Sequence, residues 1–350
     1  PQRRHHLAQE HTVGLRGEPG RLPLMLMERA HVRHGDAQRC EEVVGDVGVR
    51  AVNVRVGDPE RLTFYRSAAK PFQAVPLVED GIVERFGLVS KELALCCASH
   101  NSEPEHLAVA RSILEKAGMN EDDLECGPHL PFDRASEETL VRASEEPGPI
   151  HNNCSGKHAG MLALAKANGW PTRGYVGRDH PVQRRMLAEI ERWSGLSEHE
   201  IDLGRDGCGV VCFATPLSRL ALSFVRLGGE EGPAKQVVSA MTAHPFMVAG
   251  TGRFGTALGD AAGDRIFAKT GAEGVFAVGA TDGSFGVAVK VEDGGKRASA
   301  VAVLRTLDEF GVLDGIDSED LDAFRAPKIM NTRGEEVGAV RADFRLEDRA

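Results

Sequence analysis

Hydrophobic and polar positions divide this chain into a β-rich beginning, a helical middle and a β-rich end. Apolar and polar residues alternate over 47–56, which predicts a half-buried strand, and a second β-like run covers 21–27. Helical spacing then dominates, in segments that often open with Pro or close with Gly: 104–117, 157–168, 181–194 and 233–242. The last third predicts strands at 266–270, 275–280 and 285–291, followed by an apolar helix over 298–310.

This order of elements predicts an α+β sandwich. An antiparallel sheet built from both chain ends would be flanked by helices, with a helical subdomain between them in sequence. We expect a single catalytic domain over 1–350, with 1–66 and 246–350 in the sheet-containing half and 67–245 in the helical half. A cleft between the two halves is a natural ligand site.

Composition narrows the classes of partner. Among the 350 residues, 41% are hydrophobic, only 5% are aromatic, and the net charge is −10 with no basic block. This balance argues against nucleic acid and anionic membranes as partners. No apolar run approaches membrane-spanning length, and Arg3 and Arg4 are not followed by an apolar segment, so we expect a cytoplasmic protein. Seven cysteines, an odd number, predict reduced thiols or metal ligands rather than a disulfide framework.

Three short motifs carry the candidate chemistry. They are Ser67-Ala-Ala-Lys70, Ser99-His-Asn101 and the K-T-G that begins at Lys269. The order S-x-x-K, S-x-N, K-T-G is typical of serine acyl-transferases of the β-lactamase and penicillin-binding type. Each motif alone is weak, and Ser67 could be a simple helix cap. The set in this order is far more specific.

The spacing assigns a task to each residue. Three residues of helix place Lys70 one turn beyond Ser67 on the same face, so the lysine could accept the serine proton. A lysine acts as a base only when burial or a nearby cation lowers its pKa, and Lys269 is expected to be that cation. Ser99 could pass a proton between the two lysines and the leaving group. The reversed assignment, in which Ser99 attacks, stays open.

Two cysteines lie in glycine-containing loops far apart in sequence, Cys154 and Cys208. From spacing alone a pair of inert buried thiols is favoured over a metal site, because no C-x-x-C pair is present. Cys154 as a nucleophile beside His158 is a third interpretation. The G-x-G-x-x-G at 250–255 lacks a βαβ frame, so we expect a loop that lines the cleft rather than a nucleotide site.

Six segments together resemble one family. The chain is similar to the Rhizobium-type (class 3) L-asparaginases, the bacterial asparaginase II-like family, which is related in fold to serine β-lactamases and glutaminases. The matching segments are 66–76, 97–106, 154–158, 206–209, 248–253 and 269–274. The resemblance covers roughly residues 60–305 and leaves the first 45 residues poorly matched.

The resemblance implies an asparaginase, an amidohydrolase that converts L-asparagine to L-aspartate and ammonia in a homodimer. It implies two Ser–Lys pairs, Ser67 with Lys70 and Ser99 with Lys269. It also implies one zinc ion per chain, held by Cys154, Lys157 and Cys208, which reverses the interpretation from spacing alone. We further expect substrate contacts from eight residues: Arg66, Asn101, His158, Asp206, Thr251, Gly252, Gly271 and Glu273.

Three alternative functions remain at this stage. A glutaminase or other cytoplasmic amidohydrolase would share the site and differ in substrate. A penicillin-interacting serine enzyme on the same fold would turn over nitrocefin. A non-catalytic amino-acid-binding protein would bind its ligand tightly without amidase activity.

Overall fold

A computed structural model describes residues 24–31, 50–344 and 347–348, with side chains from 54 to 344. The strands are β1 Leu24–His31, β2 Arg50–Val56, β3 Leu62–Phe64, β4 Asp202–Arg205, β5 Val211–Pro216, β6 Ile266–Thr270, β7 Val275–Ala280, β8 Phe285–Lys290, β9 Lys328–Met330, β10 Glu336–Ala339 and β11 Glu347–Asp348. The helices are α1 Lys70–Glu79, α2 Ile82–Phe86, α3 Ser90–Cys96, α4 Pro104–Lys116, α5 Arg134–Ala143, α6 Ser155–Ala167, α7 Pro181–Ser194, α8 Leu217–Gly229, α9 Pro233–Ala243, α10 Pro245–Val248, α11 Phe254–Ala262, α12 Lys296–Glu309 and α13 Glu319–Asp322.

A six-stranded sheet joins the two ends of the described chain. Its order is β11-β2-β1-β8-β7-β6, and every neighbouring pair is antiparallel. The link between early and late strands is β1 with β8, in which Leu24 pairs with Lys290. The predicted fold class, α+β with an antiparallel sheet flanked by helices, is therefore confirmed.

Helices cover both faces of this sheet. Along β7, Val275 and Ala277 belong to the core that contains α8, while Phe276 and Val278 belong to the core that contains α12. Alternation of this kind follows from the two-residue period of a strand, and it places α8 and α12 on opposite faces. Strands buried on both sides explain why β7 and β8 are apolar along nearly their whole length.

The remaining helices form a larger apolar cluster around α1. Eight of its ten residues are buried, and Phe72 of α1 contacts Trp193 of α7 and Phe224 of α8 at ring-centroid distances of 6.2 Å and 5.4 Å. A small sheet, β3-β5-β4, lies at the side of this cluster. It ends in the tight β4–β5 turn that holds Asp206 and Cys208.

Most predicted elements are found within a few residues of their expected bounds. The strand predicted over 47–56 begins at Arg50, and the part before residue 50 lies outside the described residues. Of the run over 21–27, residues 24–27 lie in β1 and residues 21–23 lie outside the described residues. The helix predicted to begin at Ser67 is different: residues Arg66–Ala69 form a 3₁₀ turn, and α1 begins at Lys70 with Pro71 in its first turn. No helix in the described part of the chain is long and apolar enough to cross a membrane.

Candidate active site

Ser99 lies between two lysine side chains. It follows α3, and its backbone N–H donates to the carbonyl of Val248 at 2.9 Å, which fixes the segment against the end of α10. Its Oγ is 3.1 Å from Nζ of Lys70 and 2.8 Å from Nζ of Lys269. All three side chains are buried. The structure thus brings together three of the four residues predicted to be catalytic, through direct hydrogen bonds.

Ser67 completes the set from the 3₁₀ turn before α1. It is partly exposed, whereas Ser99 is only 3% exposed, so Ser67 is the more accessible of the two hydroxyls. Lys70 lies one turn further on, and its Nζ also donates to the carbonyl of Ala98. Among the described contacts no hydrogen bond joins Ser67 Oγ to Lys70 Nζ, which is common in ligand-free enzymes, where catalytic contacts tighten on substrate binding.

Lys269 comes from the large sheet, on β6. The strand end approaches the 3₁₀ turn closely at Gly271, where a Cβ would lie 2.8 Å from the carbonyl oxygen of Tyr65. Tyr65 is itself fixed, because its N–H donates to Phe213 at 2.9 Å and its hydroxyl accepts from Thr215 at 3.1 Å. Only glycine permits this approach without displacing backbone. Gly271 therefore sets the separation between the sheet and the Ser67 turn.

The site disfavours a positive charge on Lys269. Burial lowers the pKa of Lys269 well below its ordinary value, and the charge of Lys70 lowers it further. The prediction that Lys269 is the cation that activates Lys70 is not supported, because the pKa of Lys269 is itself lowered. Lys269 is held towards its neutral form because it is enclosed and forms no ion pair with a carboxylate of the described residues.

Arg66 holds two acidic side chains beside Ser67. Its guanidinium contacts Asp206 at 3.0 Å and 2.9 Å and Glu273 at 2.7 Å. Burial alone would raise the pKa of Asp206, but the charges of Lys157 and Arg66 lower it overall. Arg66 and Glu273 have φ values of 49° and 60°, rare for residues with side chains. Strained backbone of this kind concentrates at functional sites.

Both polar side-chain atoms of Asn101 are hydrogen-bonded. Its Nδ2 donates to the carbonyl of Thr251 at 3.0 Å and to Glu103 at 3.2 Å, while its Oδ1 accepts from Arg253 at 2.8 Å. Thr251 and Gly252 lie in the loop between α10 and α11, not in a strand-to-helix turn. This location supports a loop for the first part of the predicted range 250–255, whereas Phe254 and Gly255 belong to α11.

The three predicted zinc ligands converge beside this site. Cys154 precedes α6, Lys157 lies in the first turn of α6, and Cys208 lies in the β4–β5 turn. Nζ of Lys157 is 3.0 Å from Sγ of Cys208. A hydrogen bond from Cys154, together with the Lys157 charge, lowers the pKa of Cys208 to about 5, although burial opposes this shift. The Cys154 bond to Cys208 and burial raise the pKa of Cys154 to about 12, which argues against Cys154 as a nucleophile.

These three side chains can bind zinc in only one protonation state. Two sulfurs and one nitrogen are donors that zinc accepts, provided that the lysine is neutral and the thiols are ionised. Among the described residues no group of three or more His, Cys, Asp and Glu could hold a metal ion. A zinc site here therefore depends on Lys157 as the third ligand.

His158 lies on the first turn of α6 with both ring nitrogens enclosed. The Tyr175 hydroxyl accepts from the N–H of Glu125 at 2.9 Å and is hydrogen-bonded to Nδ1 of His158 at 2.7 Å. Nε2 is the one buried side-chain nitrogen or oxygen of the described residues without a partner. Burial lowers the pKa of His158 and so favours the neutral ring.

Sequence reasoning missed two residues at this site. Arg253 was part of a matching segment, 248–253, but we did not single it out, because only the folded chain brings it to Asn101. Cys126 lies close enough to Cys154 and Cys208 for their charges to affect its pKa. It carries no local motif, so nothing in the sequence could place it there.

Comparison with known proteins defines the class, an amidohydrolase. A sequence model described as L-asparaginase II matches residues 39–342, and the chain belongs to that family. Two solved structures described as crystal structures of Mglu, one in its glutamate form, are similar at 17% and 16% identity, each with a TM-score of 0.35. These matches cover 89% of this chain and 67% and 74% of the two structures. No curated protein matches significantly.

Family membership makes the protein an asparaginase-type enzyme that acts on a small-molecule amide. The match extends further towards both ends than the six segments that first suggested it. The predicted family is therefore confirmed.

Proposed function

We propose that this enzyme hydrolyses L-asparagine to L-aspartate and ammonia through a covalent acyl-enzyme on Ser67. The observation that carries the proposal is the contact of Ser99 Oγ with both Lys70 and Lys269, next to an accessible serine. A serine hydroxyl needs a nearby base at neutral pH, and two buried lysines joined by a hydroxyl can supply one.

The proposed proton path uses the hydrogen bonds of Ser99 with Lys70 and Lys269. Lys70 first passes a proton through Ser99 to neutral Lys269, and the neutral Lys70 then takes the Ser67 proton as Oγ attacks the side-chain carboxamide carbon. The N–H of Ser67 is the proposed donor to the oxyanion. When the C–N bond breaks, the proton returns along the same path to the departing ammonia. Water then hydrolyses the ester, with the lysines as base again.

Accessibility favours Ser67 over Ser99 as the nucleophile. Ser99 is enclosed by two lysines that both use its oxygen, so a substrate carbonyl would have to displace one of them. Ser67 faces the partly open side of the turn. We therefore assign Ser99 to proton relay.

Substrate contacts are proposed for groups around Ser67. The acidic side chains Asp206 and Glu273, fixed by Arg66, suit the α-ammonium of an amino acid. Nε2 of His158, which has no partner among the described residues, would suit a carbonyl or carboxylate oxygen in the tautomer that carries its proton there. Thr251, Gly252 and Gly271 line the loop and strand end that approach the same place.

Zinc is proposed as a resident ion on Cys154, Lys157 and Cys208, one per chain. When bound, it would hold the α6 start and the β4–β5 turn together and so order the pocket wall that includes Asp206. The Ser–Lys groups supply nucleophile and base without it.

A cytoplasmic location and a homodimer stay predictions, and sedimentation velocity tests the dimer.

Ammonia release from L-asparagine, L-glutamine and peptide amides tests the activity. We expect asparagine to be preferred, Ser67→Ala to lose at least about 10³-fold in kcat, and Ser99→Ala to retain a trappable acyl-enzyme. An acyl adduct on Ser99 in the Ser67→Ala variant would reverse the assignment. Glutamine preference would indicate a glutaminase, nitrocefin turnover would indicate a penicillin-interacting enzyme, and tight amino-acid binding without hydrolysis would indicate a binding protein.

A further inference from the structure

Arg253 is held at the active site by Asn101, two residues beyond Ser99. Its Nη1 donates to Asn101 Oδ1 at 2.8 Å, and the Asn101 amide is fixed in turn by Thr251 and Glu103. At Gly250, with φ of 113°, a Cβ would lie 2.5 Å from Nδ2 of Asn101. Glycine thus lets the loop close over the asparagine, and the guanidinium is presented in one orientation.

Arg253 has no ion-pair partner among the residues that the structure describes. Arg66, the residue before Ser67, contacts two carboxylates, whereas the Arg253 guanidinium is hydrogen-bonded to the neutral Asn101. Lys296 at the start of α12 also lacks a described acidic partner. Both cations approach the half-exposed ring of Phe132, at 5.8 Å for Arg253 and 5.5 Å for Lys296.

Arg253 adds to the positive charge around Ser99, and Lys296 adds to the positive charge around Arg253. Burial is the main cause that lowers the pKa of Lys269, and the charge of Arg253 contributes to it, so the two groups are electrostatically close. Arg253 is itself largely withdrawn from solvent, and burial lowers its pKa. Burying a guanidinium without a counter-ion costs free energy, and the interaction with an aromatic ring offsets only part of that cost. A bound anion in contact with Arg253 would offset the rest.

We infer that Arg253, assisted by Lys296, binds the α-carboxylate of the amino-acid amide and so selects substrates with that group free. The inference rests on the proposed asparaginase function and assigns the part of the substrate that the reaction does not change. A guanidinium offers two parallel donors that match a carboxylate, and Phe132 screens the ion pair from water on one side. Asn101 is then a positioning residue for Arg253.

Kinetics with a matched pair of substrates tests this directly: L-asparagine and its α-N-methylamide, in which the carboxylate is replaced by a neutral amide. Arg253→Gln keeps a donor for Asn101 Oδ1 and removes the charge, and Lys296→Gln leaves Asn101 untouched. Arg297→Gln is the control, because Arg297 is the next residue of α12 and is paired with Asp293 at 3.0 Å.

We expect Arg253→Gln to lower kcat/KM for L-asparagine by roughly 30- to 100-fold, mostly through a higher KM. The same variant should lower kcat/KM for the N-methylamide by less than about threefold. Lys296→Gln should lower the value for L-asparagine by about three- to tenfold, since Lys296 is more exposed, and Arg297→Gln should leave it unchanged. Equal losses with both substrates, or an equal effect of Arg297→Gln, would overturn the inference.

Equilibrium binding of L-aspartate, measured by calorimetry, separates this inference from the proposed function. If the wild-type enzyme releases no ammonia from asparagine, the proposed function fails. Weaker aspartate binding by Arg253→Gln than by the wild type would still support the carboxylate site. Aspartate binding that is unchanged by Arg253→Gln and Lys296→Gln would reject it.

Discussion

Single residues at this site are held in states that folding alone would not favour. Lys269 is enclosed near a second lysine, Arg253 is largely withdrawn from water with no acidic partner in the described part of the chain, and Arg66 adopts a left-handed backbone conformation. Each state costs free energy, and such costs persist where the surrounding structure enforces them. Their concentration around the two serines supports the proposal that this region is the site of chemistry.

We predict that activity depends on the protonation state of Lys269. In the proposed path it must be neutral to accept a proton, so kcat/KM should fall as pH decreases through its lowered pKa, where Lys269 becomes charged. Lys269→Arg keeps a charge that cannot be lost, and should cost about 10²- to 10⁴-fold at every pH. The pH profile of the wild type and of this variant checks it, with the exposed Lys235→Arg as the control. Full activity of Lys269→Arg would exclude a proton-accepting role.

At the scale of elements, the sequence predicts the helices and strands whose bounds are determined by their own residues. The start of α7 at Pro181 and its end before Gly195 are set by residues in the helix itself, and the structure has them there. The short strands β4 and β5 were not predicted as strands, because only pairing across the sheet defines them. The same limit applies to the site: S-x-x-K and K-T-G were visible, but the partner of Arg253 and the position of Cys126 depend on contacts between distant segments.

Gly271 tests how closely β6 must approach the Ser67 turn. In Gly271→Ala the new Cβ meets backbone at Tyr65, which cannot move aside, so we expect a loss of about 1 to 3 kcal/mol in unfolding free energy and a larger than tenfold loss of kcat. Gly127→Ala is the control, because its Cβ would meet nothing within 4 Å. Urea denaturation and steady-state kinetics measure the two effects. If the Gly271→Ala variant were as stable and active as Gly127→Ala, the close approach would have no functional importance.

A separate prediction concerns zinc binding between the loop before α6 and the β4–β5 turn. Protein purified without chelator should contain one zinc per chain, and Cys208→Ser should lose it, because Lys157 and Cys154 alone are too few ligands. Removal of the ion should raise KM for asparagine more than it lowers kcat. Elemental analysis and kinetics measure this, with Cys212→Ser as a control outside the set. Metal-free wild-type protein with normal KM would return both cysteines to the class of buried thiols.

In the whole molecule, the candidate active site lies at the junction of the two hydrophobic cores. Ser67, Lys70 and Ser99 belong to the helical cluster around α1, whereas Lys269 belongs to the sheet. The 2.8 Å contact between Lys269 and Ser99 exists only when these two parts are correctly packed. Global stability and catalytic geometry are therefore linked, and α1 must be anchored at its far end as well as at Lys70.

That anchor is Arg185 of α7. It contacts Glu79, the last residue of α1, at 2.7 Å, Asp80 at 3.1 Å, and the buried carboxylate of Glu189, which also accepts from Trp193 at 2.7 Å. Arg185→Met would leave Glu189 buried without its cation, which costs on the order of 3 kcal/mol in unfolding free energy. Its neighbour Arg184 forms an exposed pair with Glu198, so Arg184→Met is the matched control and should not change the denaturation midpoint measurably.

Urea denaturation of the two variants at several pH values checks this prediction. Burial alone would raise the pKa of Glu79, but its bonds with Arg185 and the nearby Arg192 lower it. A carboxylate with a lowered pKa contributes stability at neutral pH and loses that contribution as it becomes protonated. The deficit of Arg185→Met should therefore be largest near neutral pH and should shrink as the pH falls below about 4.3, the ordinary pKa of Glu. Equal deficits for Arg184→Met and Arg185→Met, or one that does not change with pH, would show that this network does not anchor α1.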